Sequence, residues 1–376
     1  MRALRFHSKG DIRLDDVEQP KCAPHEVRLK VAYCGVCGTD IHEYLDGPIL
    51  IPADGEQNPN TGAKLPLILG HEFSGVVVEV GKDVKSVPLG QRVVVNPAMD
   101  DRHHSQSPCE ICVRGRHNIC LRSTFYGLQA PQGGFADEIC VDAIACFPLP
   151  SSVSLKLAAL VEPLAVAAHM IRISGFTPGQ DVVIFGAGPI GSALVFLLRQ
   201  YGAGKILVSE IAPSRSAQAM ECGADKVIDP VTTAAQPAVS ELIGPAGADI
   251  AFDACGLQTT LDAAFACTKP GGTIFNVAIH EKPLSLNLNL LTLSEKRLLA
   301  GNAYTAEDYN RVIEVLRSKG PEVEKFITAI VPLEQAVDGA FEELVRNKAM
   351  HNKILVEVNG EDCDSLRTAH SPASKL

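Results

Sequence analysis

Three side chains of metal-binding type and one glycine-rich loop stand out in this chain. In order they are Cys37 in Cys37-Gly38-Thr39-Asp40, His71 in Gly70-His71-Glu72, Glu162 in Val161-Glu162-Pro163, and the run Gly186-Ala187-Gly188-Pro189-Ile190-Gly191. Thiolate, imidazole and carboxylate are the donors that Zn2+ takes at a catalytic site with one position left open. A loop of that glycine spacing suits a dinucleotide, and a nicotinamide cofactor would accept hydride. These residue types together point to metal-assisted oxidation of an alcohol. Taken singly they have plainer readings: Cys37 as a small buried residue, His71 as a hydrogen-bonded core histidine, Glu162 as a carboxylate at a helix N-terminus.

The loop is persuasive because of its surroundings. It directly follows the apolar stretch Val182-Val183-Ile184-Phe185 and opens a helical run from Ser192 to Tyr201. Gly186 permits the tight turn, Gly188 lets the backbone approach a pyrophosphate, and Gly191 lets the helix pack closely on the sheet. Pro189 and Ile190 begin that helix, whose N-terminal N–H groups face the phosphates. Glu210 closes the next strand candidate about twenty residues on, where a carboxylate holds the ribose 2'-OH and repels a 2'-phosphate, so NAD is expected over NADP. Arg215, one helical turn further, is placed to flank the adenine or ribose, or is an ordinary solvent-facing charge.

The elements that must position these groups fall into two patterns. Residues 1 to about 155 carry short alternating or apolar runs, among them Val27-Arg28-Leu29-Lys30-Val31, Gly75 to Val80 and Arg92 to Val95, which predict a mainly β domain. From Leu155 to Ile173 the pattern turns helical, with Pro163 setting a helix start or a kink. Strand candidates then alternate with amphipathic stretches: Val182–Phe185, Ile206–Ser209, Lys226–Ile228, Ile250–Asp253, Ile274–Val277 and Leu298–Ala300. That rhythm predicts a doubly wound parallel sheet. Helices are expected over Ala306–Ser318 and Leu333–Lys348, and a last strand over Lys353–Val358 that returns to the first domain.

Length and composition bound the rest. At 376 residues the chain exceeds the size at which one core stops growing, so two domains are expected. A net charge of −10 and no concentrated block of Lys and Arg argue against a nucleic-acid partner. The N-terminal stretch carries no secretory signal and no apolar run reaches membrane-spanning length, so an intracellular protein without a membrane partner is expected. The twelve cysteines then read as metal ligands, small buried residues or free thiols. The closing Ser374-Lys375-Leu376 matches the peroxisomal address, which predicts import through its receptor; a chance match would leave the protein in the cytoplasm.

With these motifs in their order, the sequence resembles the zinc-dependent medium-chain dehydrogenase/reductase family over nearly its whole length, in particular its sorbitol and butanediol dehydrogenase branch. The resemblance implies a GroES-like, mainly β catalytic domain over residues 1–157 and 303–358. It implies a Rossmann NAD-binding domain over 158–302, and the polar stretch 359–376 is expected to be a flexible tail. Cys37, His71 and Glu162 are implied as ligands of catalytic zinc, with Glu72 at or near the open position and Asp40 orienting the second nitrogen of His71. Thr39 is implied to take the substrate proton and His42 to relay it toward solvent. A homodimer or homotetramer is implied as well, built through the cofactor domain, where an edge strand near Leu298 would meet its copy.

A second cluster, Cys109-Glu110-Ile111-Cys112 with Cys120, resembles the structural-zinc lobe of the same family, which uses four cysteines at spacings of two, two and seven. Here Gln106 stands where the first cysteine would be. Asp100, Asp101, His103 or His104 would have to supply the fourth donor, or the site is weak or empty. The segment from His42 to Pro48, the Pro- and Gly-rich excursion to Pro66, and Gly70 to Gly75 look most like the butanediol dehydrogenases. A vicinal diol or acyloin substrate such as 2,3-butanediol and acetoin follows, with a polyol such as sorbitol or xylitol as the alternative. A metal-free quinone or enoyl reductase, or a dinucleotide-binding protein without catalysis, would share the glycine loop but have no need of Cys37, His71 and Glu162 together.

Overall fold

The structure is a computed structural model and describes residues 1–280, 282–361 and 363. The chain forms two units, Met1–Glu162 with Thr305–Leu376, and Pro163–Tyr304. The crossings lie a few residues beyond the expected 157/158 and 302/303.

In the first unit, the strand Glu26–Gly35 shows how the sequence pattern becomes a layer. Val27, Leu29 and Val31 are buried between the partly exposed Arg28 and Lys30, and from Val31 onward every residue is buried. The first half therefore has one wet face, whereas the second half is covered on both. This strand is the centre of a seven-stranded sheet. Glu72–Val80 pairs with it antiparallel along its length, Glu138–Asp142 pairs with its first half, and Lys353–Glu357 pairs with its last three residues. The sheet continues through Arg92–Val95 to Cys146–Pro148 on one side and to Ile327–Pro332 on the other. A three-stranded sheet of Asp11–Asp16, Arg2–Ser8 and Leu67–Ile68 completes the mainly β unit.

The second unit is a six-stranded sheet in the order Lys226–Ile228, Ile206–Ser209, Val182–Phe185, Ala248–Asp253, Thr268–Asn276, Arg297–Ala300. All its pairings are parallel. The four residues of Val182–Phe185 are fully enclosed, as a central parallel strand requires. Strand order reverses on either side of Val182–Phe185, and a doubly wound sheet binds its ligand at such a switch point, beyond the carboxyl ends of the strands. The chain leaves Phe185 straight into the glycine loop.

Two expectations change, and one element is added. The helix over Ala306–Ser318 ends at a kink at Lys319 (φ −128°, ψ 20°), and a second helical stretch containing Pro321 follows it to Glu324. The helix over Leu333–Lys348 breaks into a 3-10 turn Leu333–Gln335, a π segment Val337–Glu342 and an α-helix Glu343–Asn347. Gly339 lies inside the π segment, where it weakens the α geometry. The stretch expected to be a flexible tail starts out packed: Asn359 donates from its amide to the carbonyls of Val31 (2.9 Å) and Asp137 (3.1 Å), and Cys363 is buried. The Ser374-Lys375-Leu376 address lies outside the described residues.

Candidate active site

Strand register assembles the first group of side chains. In the central sheet Gly35 lies opposite Glu72 on one neighbour and Leu355 on the other. Immediately beyond Gly35 the chain turns into the helix Gly38–Asp46, with Cys37 as its N-cap. The Asp40 carboxylate accepts the Cys37 backbone N–H at 2.9 Å, which fixes that turn. Donor atoms of Cys37, His71 and Glu72 consequently lie within 4.8 Å of one another. His71 and Glu72 are buried and Cys37 is half-buried.

The imidazole is oriented. His71 Nδ1 faces Asp40 Oδ1 at 3.5 Å, and neither buried atom has another hydrogen-bond partner. Asp40 thus stands at one ring nitrogen and leaves Nε2 as the donor, the arrangement expected of a metal-ligating histidine. Burial opposes a cation on His71, but Asp40 and Cys37 outweigh it and hold its pKa well above the usual value. This local field favours a positive charge, and thiolate, imidazole and carboxylate are zinc donors, so the residues fit the ion.

Glu72 has a partner that the sequence did not announce. Lys353 Nζ donates to both Glu72 oxygens, at 2.7 and 2.6 Å, and to the carbonyl of Val36 at 3.1 Å. Burial disfavours the ammonium, yet Glu72 first, then Cys37 and Glu162, raise its pKa above that of an ordinary lysine. Lys353 is therefore surrounded by the negative groups of the site. Gly35 makes room for this pair: a Cβ there would sit 2.1 Å from Glu72 Oε2. The sequence assigned Glu162 to the ligand set and Glu72 to the open position. The structure brings the Glu72 carboxylate into the cluster, and Glu162, buried at the start of Val161–Ile173, is not in that set. Thr39 Oγ1 lies 3.7 Å from Cys37 Sγ, and His42 is exposed on the same helix.

In the second unit the glycine loop has the expected form. Gly188 is the N-cap of the helix Pro189–Gln200, Pro189 is its first residue, and Ile190 and Gly191 follow in the first turn. Gly186 has φ +92°, and a Cβ on Gly191 would come 2.0 Å from the Gly186 carbonyl, so only glycine allows the helix this close to the turn. Glu210 follows the strand Ile206–Ser209, buried, and accepts the N–H of Ala187 at 2.7 Å and of Ala212 at 2.8 Å. Its carboxylate is thereby held against the loop. The Arg215 guanidinium lies beside Gly188. Cys255, not singled out by the sequence, stands against Gly186, and burial raises its thiol to about 12.

Cys109, Cys112 and Cys120 also converge, and Asp101 joins them, all four buried with donor atoms within 4.8 Å of one another. Among the four residues considered as a fourth donor, it is Asp101 that the structure places in the cluster.

Comparison with known proteins gives two family matches along the chain. Residues 23–151 match the alcohol dehydrogenase GroES-like domain and residues 189–318 match the zinc-binding dehydrogenase domain. The chain is 36% identical to an (R,R)-butanediol dehydrogenase of Saccharomyces cerevisiae, over 96% of this chain and 98% of that one. It is 32% identical to a probable D-xylulose reductase A of Aspergillus terreus, over 93% and 97%. The crystal structure of 2R,3R-butanediol dehydrogenase from Bacillus subtilis superposes with a TM-score of 0.88 at 34% identity, covering 95% of this chain and 99% of that one. Motif order, the two sheets and these matches agree: the chain belongs to the zinc-dependent medium-chain dehydrogenase/reductase family.

Proposed function

We propose that the protein is a zinc-dependent, NAD-linked dehydrogenase that interconverts a secondary alcohol of a vicinal diol with its ketone, 2,3-butanediol with acetoin. The single observation that carries the chemistry is the convergence of half-buried Cys37 with buried His71 and a buried carboxylate in a chain that also holds a complete dinucleotide loop. When bound, zinc supplies the Lewis acidity that lets an alcohol lose its proton near neutral pH, and NAD supplies the hydride acceptor. Cys37 and His71 hold the metal, together with Glu72 or Glu162. Asp40 fixes the His71 ring, and Lys353 fixes Glu72. Thr39 takes the proton from the substrate hydroxyl and His42 passes it toward solvent. Gly186 to Gly191 receive the pyrophosphate, Glu210 the ribose, and Arg215 flanks the adenine or ribose.

The diol reading rests on the relatives named as butanediol dehydrogenases from yeast and Bacillus subtilis, at 36% identity over 96% of this chain. The polyol alternative rests on relatives named as probable D-xylulose reductases, at 30–32%. The deciding experiment compares initial rates of NADH formation from 2,3-butanediol, sorbitol and xylitol at equal concentration. Faster turnover of butanediol supports the diol reading, and faster turnover of either polyol replaces it.

We also propose that Ser374-Lys375-Leu376 directs peroxisomal import. A fluorescent fusion ending in these residues should be punctate and become diffuse when they are removed; a distribution indifferent to them would refute this.

A further inference from the structure

Among the described residues, the cluster of Asp101 with Cys109, Cys112 and Cys120 is a second set of metal-binding side chains, apart from the site just described. Cys109, Cys112 and Cys120 are all free thiols, with Cys109 Sγ and Cys120 Sγ 3.9 Å apart, far beyond a disulfide bond. Three thiols gathered in a pocket this small, with a fully buried carboxylate among them, make poor hydrophobic packing and a good soft-metal donor set.

The backbone explains how an aspartate replaces the expected cysteine. Gln106, at the expected position, is exposed and gives only its N–H, to the Asp101 carbonyl at 2.9 Å. Ser105 takes φ 52°, which turns the loop back on itself. The fold-back brings in a side chain from five positions earlier. Asp101 Oδ2 accepts the Cys109 N–H at 2.7 Å and Oδ1 accepts Arg122 Nε at 2.6 Å, which leaves lone pairs on both oxygens. Arg122 also donates its backbone N–H to Cys120 Sγ at 3.4 Å and its guanidinium to the Ser107 carbonyl at 2.8 Å. One arginine thus ties the aspartate to two flanks of the lobe. Three thiolates and a carboxylate carry the same charge as four thiolates, so zinc is compensated equally well.

We propose that Asp101 is the fourth ligand of a structural zinc site completed by Cys109, Cys112 and Cys120, and that Arg122 is a positioning residue that holds Asp101 toward the metal. This goes beyond the proposed function, because the ion is separate from the one at Cys37 and His71. One oxygen donor in place of a thiolate makes the donor set harder, so zinc held there would be more readily stripped than from a four-cysteine site.

Zinc content of the purified full chain, measured by mass spectrometry, tests the proposal, with Cys37→Ser removing the catalytic ion independently. The expected result is two zinc ions in the unaltered chain, one in Cys37→Ser, and one fewer again when Asp101→Asn is added. Asp101→Cys should keep both ions and lose the lobe's zinc to a chelator more slowly. Arg122→Met should lose it about tenfold faster, as expected of a lost supporting contact. Cobalt in the Cys37→Ser chain should give a tetrahedral spectrum whose sulfur charge-transfer band grows by about one third on Asp101→Cys, as the thiolate donors rise from three to four. Two zinc ions retained in Asp101→Asn, or no zinc in Cys37→Ser, would overturn the assignment. Should Asp101→Asn not fold, an unchanged cobalt band and chelation rate in Asp101→Cys would overturn it equally.

Discussion

At the residue scale, the candidate site is a balance of buried charges. Lys353 and Glu72 are both almost fully enclosed, and each is the other's direct counter-ion. Removing one member of a buried pair leaves the other uncompensated, which costs about 3–5 kcal/mol. Lys353→Met should therefore lower the denaturation free energy of the metal-free chain by about that much, and a loss below about 1 kcal/mol would place the pair among weak surface bridges. Cys37, His71 and Glu72 were legible from sequence because each sits in a short motif with its own chemistry. Lys353 was not: it is 281 residues from Glu72, in a strand that looked purely structural, and only strand pairing brings it in. For Glu162 the motif gave residue type and order, and the structure adds that it is buried and raises the pKa of Lys353 together with Glu72 and Cys37. Glu210 was legible by its position after the second strand, and Glu210→Ala should raise the KM for NAD and narrow the preference for NAD over NADP. Steady-state titration with both cofactors checks this; an unchanged ratio would remove Glu210 from the ribose site.

At the scale of elements, the parallel sheet was the most readable part, because its central strands Val182–Phe185, Ile206–Ser209 and Ala248–Asp253 are short, largely enclosed apolar runs separated by helices. The π segment Val337–Glu342 was hidden because its apolar spacing resembles an α-helix, and the widening depends on packing. Ends of strands are also held by side chains that a periodicity argument ignores. Asp225 accepts the Ile206 N–H at 2.8 Å and pairs with Arg199 at 2.5 Å and Lys205 at 3.3 Å. Burial raises its pKa, but the Ile206 N–H and the Arg199 and Lys205 side chains outweigh that and leave it below the usual carboxylate value. A depressed carboxylate contributes stability above its unfolded value, about 3.9, and that contribution is lost as pH falls through the lower folded value. Asp225→Asn should cost about 1–3 kcal/mol at neutral pH and flatten the loss of stability on acidification below about pH 4. Parallel acid titrations of both proteins would contradict this.

At the scale of the whole molecule, the division into two units followed from the change of pattern near residue 155, although the crossings at Glu162 and Tyr304 required the contacts. Assembly was implied by resemblance alone. The structure adds an open edge: among the described residues Arg297–Ala300 pairs only with Thr268–Asn276, and Leu288, Leu293 and Leu298 are exposed. Exposed strand edges invite pairing with another chain, so we propose that two copies meet there. Leu298→Lys should halve the mass of the homodimer or homotetramer in light scattering, and a mass unaffected by it would place the interface elsewhere.

The proposed chemistry requires a metal at Cys37 and His71. Its most direct test is the rate of NADH formation from 2,3-butanediol by the chelator-stripped chain, before and after zinc is restored, beside Cys37→Ser treated in the same way. Activity that disappears on stripping, returns with zinc and never returns in Cys37→Ser is the predicted result. Turnover that persists in the metal-free chain, or that zinc restores equally well without Cys37, would contradict it.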